Sequence, residues 1–302
     1  MRLQGIFAPA ATPFDAAGDL HIEGFRRNTA FLLDAPLAGL VLFGSTGEGV
    51  LIDEDERVRL LEAAQALMDG RLLLAGTGAE STRATIRMTR AAAAAGADAV
   101  LVQPPGYFRS LMTPAALEAH YTRVADAAPV PVVLYQVPVP FRSVDLDSGL
   151  IARLSRHPNI IGVKDSTGDV AALAELARAC DDGFAVIVGT AAALLDALDA
   201  GASGGILGVA AFAPERCCEI DRLWREGRRD EARDVQAAVA PLHRAVVARF
   251  GVPGVKAALD LRGLAGGRPR PPLEPLGAED RVAVEAALAG LQSPRATSRY
   301  TA

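Results

Sequence analysis

The chain has 302 residues, 50% of them hydrophobic and 22% charged, with a net charge of -5 and three cysteines. That composition suits a large globular core, lacks the clustered Lys and Arg that phosphate binding needs, and offers no disulfide framework or zinc-ligand spacing in Cys180, Cys217 and Cys218. No apolar run approaches the ~20 residues of a membrane span and the N-terminal stretch lacks a secretory apolar region, so nucleic acid and membrane are not expected partners and a reduced, cytoplasmic setting is.

Residues 5–11 are apolar and close on Thr12-Pro13-Phe14; a turn at Asp15-Ala-Ala-Gly18 then leads into a helical pattern over 23–33. A second apolar run, 39–43, is followed by Gly44-Ser-Thr-Gly-Glu48 and a helix over 53–68, with Glu48 placed in the next helical turn, where capping or a salt bridge is expected at least as much as chemistry. The third strand, 72–75, precedes a helix over 82–95 that Gly96 should cap. The fourth, 98–102, runs into Gln103-Pro-Pro-Gly-Tyr-Phe108 and a helix opened by Thr113-Pro114. Residues 131–135 are the fifth strand, followed by Gln136-Val-Pro-Val-Pro140. Asn159 to Val163 is a short, mostly β-branched run that delivers Lys164 at its end, before a Ser-Thr-Gly-Asp turn. Residues 184–188 and 204–207 complete the set.

Eight short apolar runs, each followed by a helical pattern, indicate parallel βαβ units, because parallel neighbours need a crossover connection. The expected fold class is therefore α/β, a (β/α)8 TIM barrel over residues 1–224. A doubly wound sheet is the alternative, but Ala8-Pro9-Ala10-Ala11-Thr12-Pro13 does not carry its Gly-rich fingerprint. The alternation then stops. Residues 230–250, 255–261 and 278–291 read as a C-terminal helical region spanning 225–291, broken at Gly251-Val-Pro-Gly254 and at 266–275, with a flexible tail over 292–302. The basic stretch 225–233 is interrupted by Glu226, Asp230 and Glu231 and reads as a solvated helix face.

In such a barrel chemistry sits at the carboxyl ends of the strands. Those ends carry Ser45, Thr46, Tyr107 in a loop, Tyr135, Lys164 and Gly189. Each has an ordinary reading beside the functional one. Gly44-Ser-Thr-Gly47 is either a simple strand-to-helix turn or a run of backbone N–H groups that cradles an anion. Tyr135 either fills the barrel or carries protons beside Lys164, one strand away. Lys164 is either a solvated strand end or a nucleophile. A free amine with a pKa near ~10.4 is protonated at neutral pH, so a nucleophilic lysine needs a site that lowers that value. It could then form an imine with a 2-oxo acid, whose cationic nitrogen is the electron sink for making or breaking the bond β to the imine carbon.

Gly44-Ser-Thr-Gly-Glu48, Tyr135-Gln-Val-Pro138 and Gly162-Val-Lys-Asp165, in that order and at those strand ends, resemble the N-acetylneuraminate lyase and dihydrodipicolinate synthase family of Schiff-base enzymes. The resemblance covers nearly the whole chain. It implies Lys164 as the imine-forming residue and Tyr135 as the proton shuttle. Ser45 stands where most members carry threonine and would relay protons to the tyrosine. The backbone N–H groups of Ser45 and Thr46 would hold the pyruvate carboxylate, and Tyr107 is the candidate lent to a neighbouring subunit of a homotetramer or homodimer. No metal or organic cofactor is implied, since the substrate imine at Lys164 does that work.

Two departures bear on the substrate. Dihydrodipicolinate synthases usually carry an arginine two residues after the motif proline; this chain has Pro140 there and Arg142 two positions later, and proline does not replace a planar guanidinium. Sialic acid lyases carry an acidic pair after the seventh strand, where this chain has Gly189-Thr-Ala-Ala192. Residues 155–170 and 249–256 look most like 4-hydroxy-2-oxoglutarate aldolases, which release pyruvate and glyoxylate. The expected activity is thus a class I, pyruvate-dependent aldolase acting on a small 4-hydroxy-2-oxo acid, with 4-hydroxy-2-oxoglutarate as the favoured substrate, Ser166 and Gly189 as further substrate-binding candidates, and Ser166 placed to hold a second carboxylate. The alternatives are dihydrodipicolinate synthase-type condensation, a 2-keto-3-deoxy sugar acid aldolase or dehydratase, and a non-enzymatic 2-oxo acid sensor on a dead barrel.

Overall fold

A computed structural model describes residues 1–138, 141 and 144–290. Pro140, Arg142 and the tail expected over 292–302 lie outside the described residues. Eight parallel strands close into a barrel in chain order: β1 (Gly5–Pro9), β2 (Gly39–Leu42), β3 (Leu72–Gly76), β4 (Ala99–Val102), β5 (Val132–Gln136), β6 (Ile160–Asp165), β7 (Ala185–Val188) and β8 (Gly204–Ile206), with β8 pairing back to β1. The helices between them are α1 (Ile22–Leu33), α2 (Glu54–Gln65), α3 (Thr82–Ala94), α4 (Pro114–Ala127), α5 (Ser148–Leu154), α6 (Val170–Ala179), α7 (Leu194–Asp199) and α8 (Pro214–Arg225). None of the described helices is long and apolar enough to cross a membrane.

Each strand is buried on both faces, which is why it reads as an apolar run without alternation. The faces still divide by the two-residue period. Phe7, Val41, Leu74, Leu101, Val133, Tyr135, Ile187 and Ile206 fill the barrel interior. Their neighbours Ala8, Leu40, Leu73, Val100, Leu134, Val163 and Val186 pack outward under the helices. Helix starts follow their side chains. Thr113 accepts from Ala116 N ahead of Pro114, and Asp53 and Glu56 form a capping box on α2.

The C-terminal helices are α9 (Arg229–Leu242), a π-helical segment His243–Ala248, α10 (Arg249–Leu261) and α11 (Ala278–Ala289). The break expected across 251–254 shrinks to one residue. Gly251 takes φ 58°, ψ -134°, and helical backbone resumes at once. Pro253 falls in the first turn after this kink, where its missing N–H and fixed φ cost little. The π segment packs against the turns that follow β7 and β8, so it lies over the carboxyl end of the barrel. The basic stretch 225–233 is exposed except at Ala232, the solvated face expected, and its arginines are paired, Arg225 on Asp221, Arg228 on Glu226 and Glu231, Arg229 on Asp199 and Arg233 on Asp230.

Candidate active site

Strand register brings the two reactive candidates together. Tyr135 on β5 and Lys164 on β6 are register partners, and Lys164 is in turn the partner of Ile187 on β7. Partners in a parallel pair share a face, so both side chains enter the barrel. Lys164 Nζ stands 4.3 Å from the centroid of the Tyr135 ring. The residues are 6% and 2% exposed, and among the described residues no carboxylate lies within ion-pair distance of Lys164. Lysine is almost never buried this far unless it is paired.

Ser45 comes from the opposite direction. It follows β2, and its Oγ shares a hydrogen bond of 3.1 Å with the Tyr135 hydroxyl. The loop around it is closed by Gly47 N donating to Gly44 O at 3.0 Å, Glu48 N to Ser45 O at 3.2 Å and Gly49 N to Gly44 O at 3.2 Å. Thr12 Oγ1 ties the Gly47 carbonyl from the β1 side at 2.8 Å. Among the described residues, the N–H groups of Ser45 and Thr46 have no acceptor. Two adjacent unused donors at the mouth of the barrel can take an anion.

The loop stands on a tight support. The Phe43 carbonyl passes so close to Gly49 and Gly76 that a Cβ on either would lie 2.0 or 2.2 Å from its oxygen. Arg57 lies 4.8 Å over the Phe43 ring and donates to the carbonyls of Gly49 and, at 2.8 Å, Gly76. Burial pulls its guanidinium down to about 10.

Ser166 lies just past the end of β6, its N–H still donating to Gln136 O at 3.1 Å. It stands two residues beyond Lys164, hence on the same face. Its Oγ is buried with no hydrogen-bond partner among the described residues. Gly189 faces it from the end of β7. A Cβ on Gly189 would fall 1.8 Å from Ser166 Oγ, so only glycine leaves that hydroxyl in place. Gly189 N donates to Asp165 O at 2.6 Å, which holds the two strand ends together.

Tyr107 stands apart from this cluster. It is 81% exposed in the loop after β4, its ring against Phe108 edge to face at 5.1 Å, and its N–H donates to Glu80 at 2.9 Å. Phe108 and Leu111 are exposed beside it in sequence.

Glu48 is not in a helical turn, contrary to the sequence expectation. It has left-handed backbone at φ 58°, ψ 33°, and its carboxylate is buried against Lys256. Local pattern could not place it, because its partner lies on α10. The same holds for His243, whose Nε2 shares a hydrogen bond of 2.9 Å with Thr190 Oγ1 beyond β7. Burial, aided by the nearby Arg244, lowers the His243 imidazole to about 4, and its Nδ1 is buried without a partner among the described residues. A π-helical turn often marks a functional stretch, but nothing in the residue pattern 243–248 announced one.

The model of the dihydrodipicolinate synthetase family matches residues 2–291. A probable mitochondrial 4-hydroxy-2-oxoglutarate aldolase of Emericella nidulans is 36% identical over 288 residues, covering 94% of this chain and 93% of that protein. A 4-hydroxy-tetrahydrodipicolinate synthase of Methanosphaerula palustris is 37% identical over 286 residues, covering 93% and 97%. The crystal structure of a dihydrodipicolinate synthase from Bacillus anthracis superposes with a TM-score of 0.90 at 30% identity, covering 98% of this chain and all of that one. With its ordered motifs and closed eight-stranded barrel, the chain belongs to the dihydrodipicolinate synthetase family of aldolases and synthases.

Proposed function

We propose that the protein is a class I aldolase that cleaves 4-hydroxy-2-oxoglutarate to pyruvate and glyoxylate through an imine at Lys164. The observation that carries this reading is the contrast between two buried lysines. Lys256 has its counter-charge in Glu48, 2.6 Å away. Lys164 has none within ion-pair distance among the described residues, and its nitrogen lies over the ring of a tyrosine whose hydroxyl is hydrogen-bonded to a serine. A packing role does not call for an amine held there without a partner.

In the cleavage direction the uncharged Lys164 nitrogen attacks the C2 carbonyl, and Tyr135 protonates the resulting carbinolamine hydroxyl so that water departs, leaving a protonated imine and the Tyr135 phenolate. Tyr135 takes the proton of the 4-hydroxyl, directly or through Ser45. The C3–C4 bond breaks, its electron pair passes to C3 and is delocalised onto the imine nitrogen, and glyoxylate leaves. Protonation of C3 and hydrolysis release pyruvate and free the amine. The substrate's 1-carboxylate sits on the N–H groups of Ser45 and Thr46, and Ser166, kept in place by Gly189, receives the second carboxylate. The imine supplies the electron sink, so this scheme uses no metal and no organic cofactor. Tyr107 is lent to the site of a neighbouring copy in a homotetramer or homodimer, and the three unpaired cysteines suit a reduced compartment such as the cytoplasm.

The 4-hydroxy-2-oxoglutarate assignment draws on the buried, unpartnered Ser166 hydroxyl and on the absence of an acidic pair in Gly189-Thr-Ala-Ala192. Borohydride added with pyruvate should fix a three-carbon unit on Lys164, located by peptide mass mapping, and Lys164→Ala should abolish it. Pyruvate release coupled to lactate dehydrogenase, across a panel of 4-hydroxy-2-oxo acids, ranks the substrates. A sugar-acid dehydratase would release water and no aldehyde, and a sensor would turn over none of them.

A further inference from the structure

We propose that Glu48 and Lys256 are a positioning pair that fixes the Ser45–Thr46 anion cradle from behind, so that α10 sets the affinity for the substrate carboxylate without touching the substrate. This rests on the reading of that loop as the carboxylate site.

Among the described residues only two that are not glycine have positive φ, Phe43 at 59° and Glu48 at 58°. They bracket the loop at its two ends. Left-handed backbone is unfavourable for an L side chain and persists where the surroundings over-determine it. For Phe43 the surroundings are the Arg57 stack and the Gly49 and Gly76 contacts already described. For Glu48 they are its own carboxylate bonds. Oε1 lies 2.6 Å from Lys256 Nζ, and Oε2 accepts from Arg270 N at 2.7 Å. Both side chains are sealed from solvent, at 0% and 1% exposure.

Lys256 is itself fixed in direction. It donates to Arg268 O at 2.8 Å and lies 4.5 Å from the centroid of the Phe14 ring, which also takes Arg270 at 4.2 Å. Arg270 returns to the loop that follows the cradle, through Leu51 O at 2.8 Å and Glu56 at 2.5 and 2.7 Å. Burial draws the Lys256 ammonium below its ordinary range, against the opposing pull of Glu48, so the charged pair is not the easiest way to fill this space. An apolar pair would pack α10 to the barrel as well or better. What the ion pair adds is a fixed direction for Glu48, and with it the plane of the peptides at 45–47. Its loss should tilt the Ser45 and Thr46 N–H groups and weaken carboxylate binding, while leaving Tyr135 and Lys164 on their strands.

The test uses the full chain with Glu48→Gln, with Lys256→Met and with both. Two quantities are read, the pyruvate concentration that half-saturates borohydride trapping at Lys164 and the trapping rate at saturation, with melting temperature alongside. Each variant, the double included, should raise the half-saturating concentration about tenfold while the saturated rate stays within about threefold, the pattern of lost ground-state binding. The double removes both charges and should recover much of the melting temperature lost in Lys256→Met, so it decides the matter if a single variant fails to fold. A double variant that regains the wild-type half-saturation shows a purely structural pair and overturns the proposal. Wild-type protein that forms no adduct overturns the imine reading beneath it.

Discussion

Removing one oxygen atom separates the chemical from the structural role of Tyr135. Tyr135→Phe keeps the ring that lines the barrel and deletes the hydroxyl that meets Ser45 Oγ at 3.1 Å. As a structural loss this is one hydrogen bond, worth about 0.5–1.5 kcal/mol net, and Ser45 is only partly buried, so water can replace the lost partner. The melting temperature should fall by a few degrees at most. On the proposed mechanism it also removes the group that accepts the 4-hydroxyl proton, and a positioned acid–base group contributes about 10²–10⁴ in rate, or roughly 3–5 kcal/mol of barrier. The kinetic effect should therefore exceed the stability effect severalfold.

Ser45→Ala deletes the other end of the same bond, and kcat should fall by about tenfold. Groups that act as one relay are not additive, so the double variant should resemble Tyr135→Phe alone to within about threefold. Pyruvate release is followed by the coupled assay, while borohydride trapping checks that the imine still forms. If Tyr135→Phe keeps more than about a tenth of wild-type kcat, or if the two losses multiply, Tyr135 is a wall of the barrel and not a proton carrier.

Gly189→Ala places a methyl group 1.8 Å from Ser166 Oγ and 2.8 Å from Ser166 Cα, so the serine backbone must move; overpacking of this kind costs about 1–3 kcal/mol. KM for the dicarboxylic substrate should rise while pyruvate still forms its adduct; Ser166→Ala should raise the same KM with little loss of stability, and an unchanged KM removes Ser166 from the site. Burial lowers His120, and burial with Arg244 lowers His243, each to about 4. The unfolded chain then binds more protons than the folded one between that value and ~6.5, so stability must fall as pH drops through this window. At pH 5 the loss is about 2 kcal/mol per histidine, readable as a lower urea midpoint than at pH 7; His120→Gln and His243→Asn should each flatten the profile, and a midpoint equally steep in both variants refutes the assignment. Lys256→Met without its partner substitution leaves Glu48 buried and uncompensated, and should cost about 3–5 kcal/mol in denaturant unfolding.

The architecture was legible because a parallel strand under a helix is buried on both sides. Sequences such as Val132–Gln136 and Ala185–Val188 are therefore short, apolar and bounded by turns. Lys164 stood out for the same reason, as a charge at the end of an otherwise apolar strand. Strand ends were less legible. β1 stops at Pro9 although apolar residues run on through Ala11; Ala10 N still donates to Val41 O at 3.0 Å, and both alanines stay buried past the strand end. The Gly251-Val-Pro-Gly254 stretch looked like a linker because both residue types break helices; a single kink at Gly251 absorbs the conflict. Glu48 with Lys256 and Thr190 with His243 were invisible because each joins a barrel loop to a C-terminal helix far along the chain. Local periodicity carries no information about such pairings.

The geometry also separates reaction from selectivity. Lys164 and Tyr135 are set by the register of β6 on β5, and Ser45 reaches them from the end of β2. On the proposed mechanism, a change in any of these would disturb the imine or its proton transfer whatever the aldehyde. The remaining wall, with Ser166 and Gly189 and then Thr190 with its His243 contact, is built from strand ends, a turn and a π-helical segment. Those elements can vary without shifting the lysine. One chemistry can thus be kept while the part of the pocket that meets the leaving aldehyde is rebuilt. On the proposed reading, that part offers the unpartnered Ser166 hydroxyl and, beyond it, a Thr190 hydroxyl bonded to the His243 imidazole, which burial lowers to about 4. On that reading the Ser166 hydroxyl is free to donate to a small anionic end group, and Gly189-Thr-Ala-Ala192 brings no carboxylates to accept hydrogen bonds from a row of sugar hydroxyls.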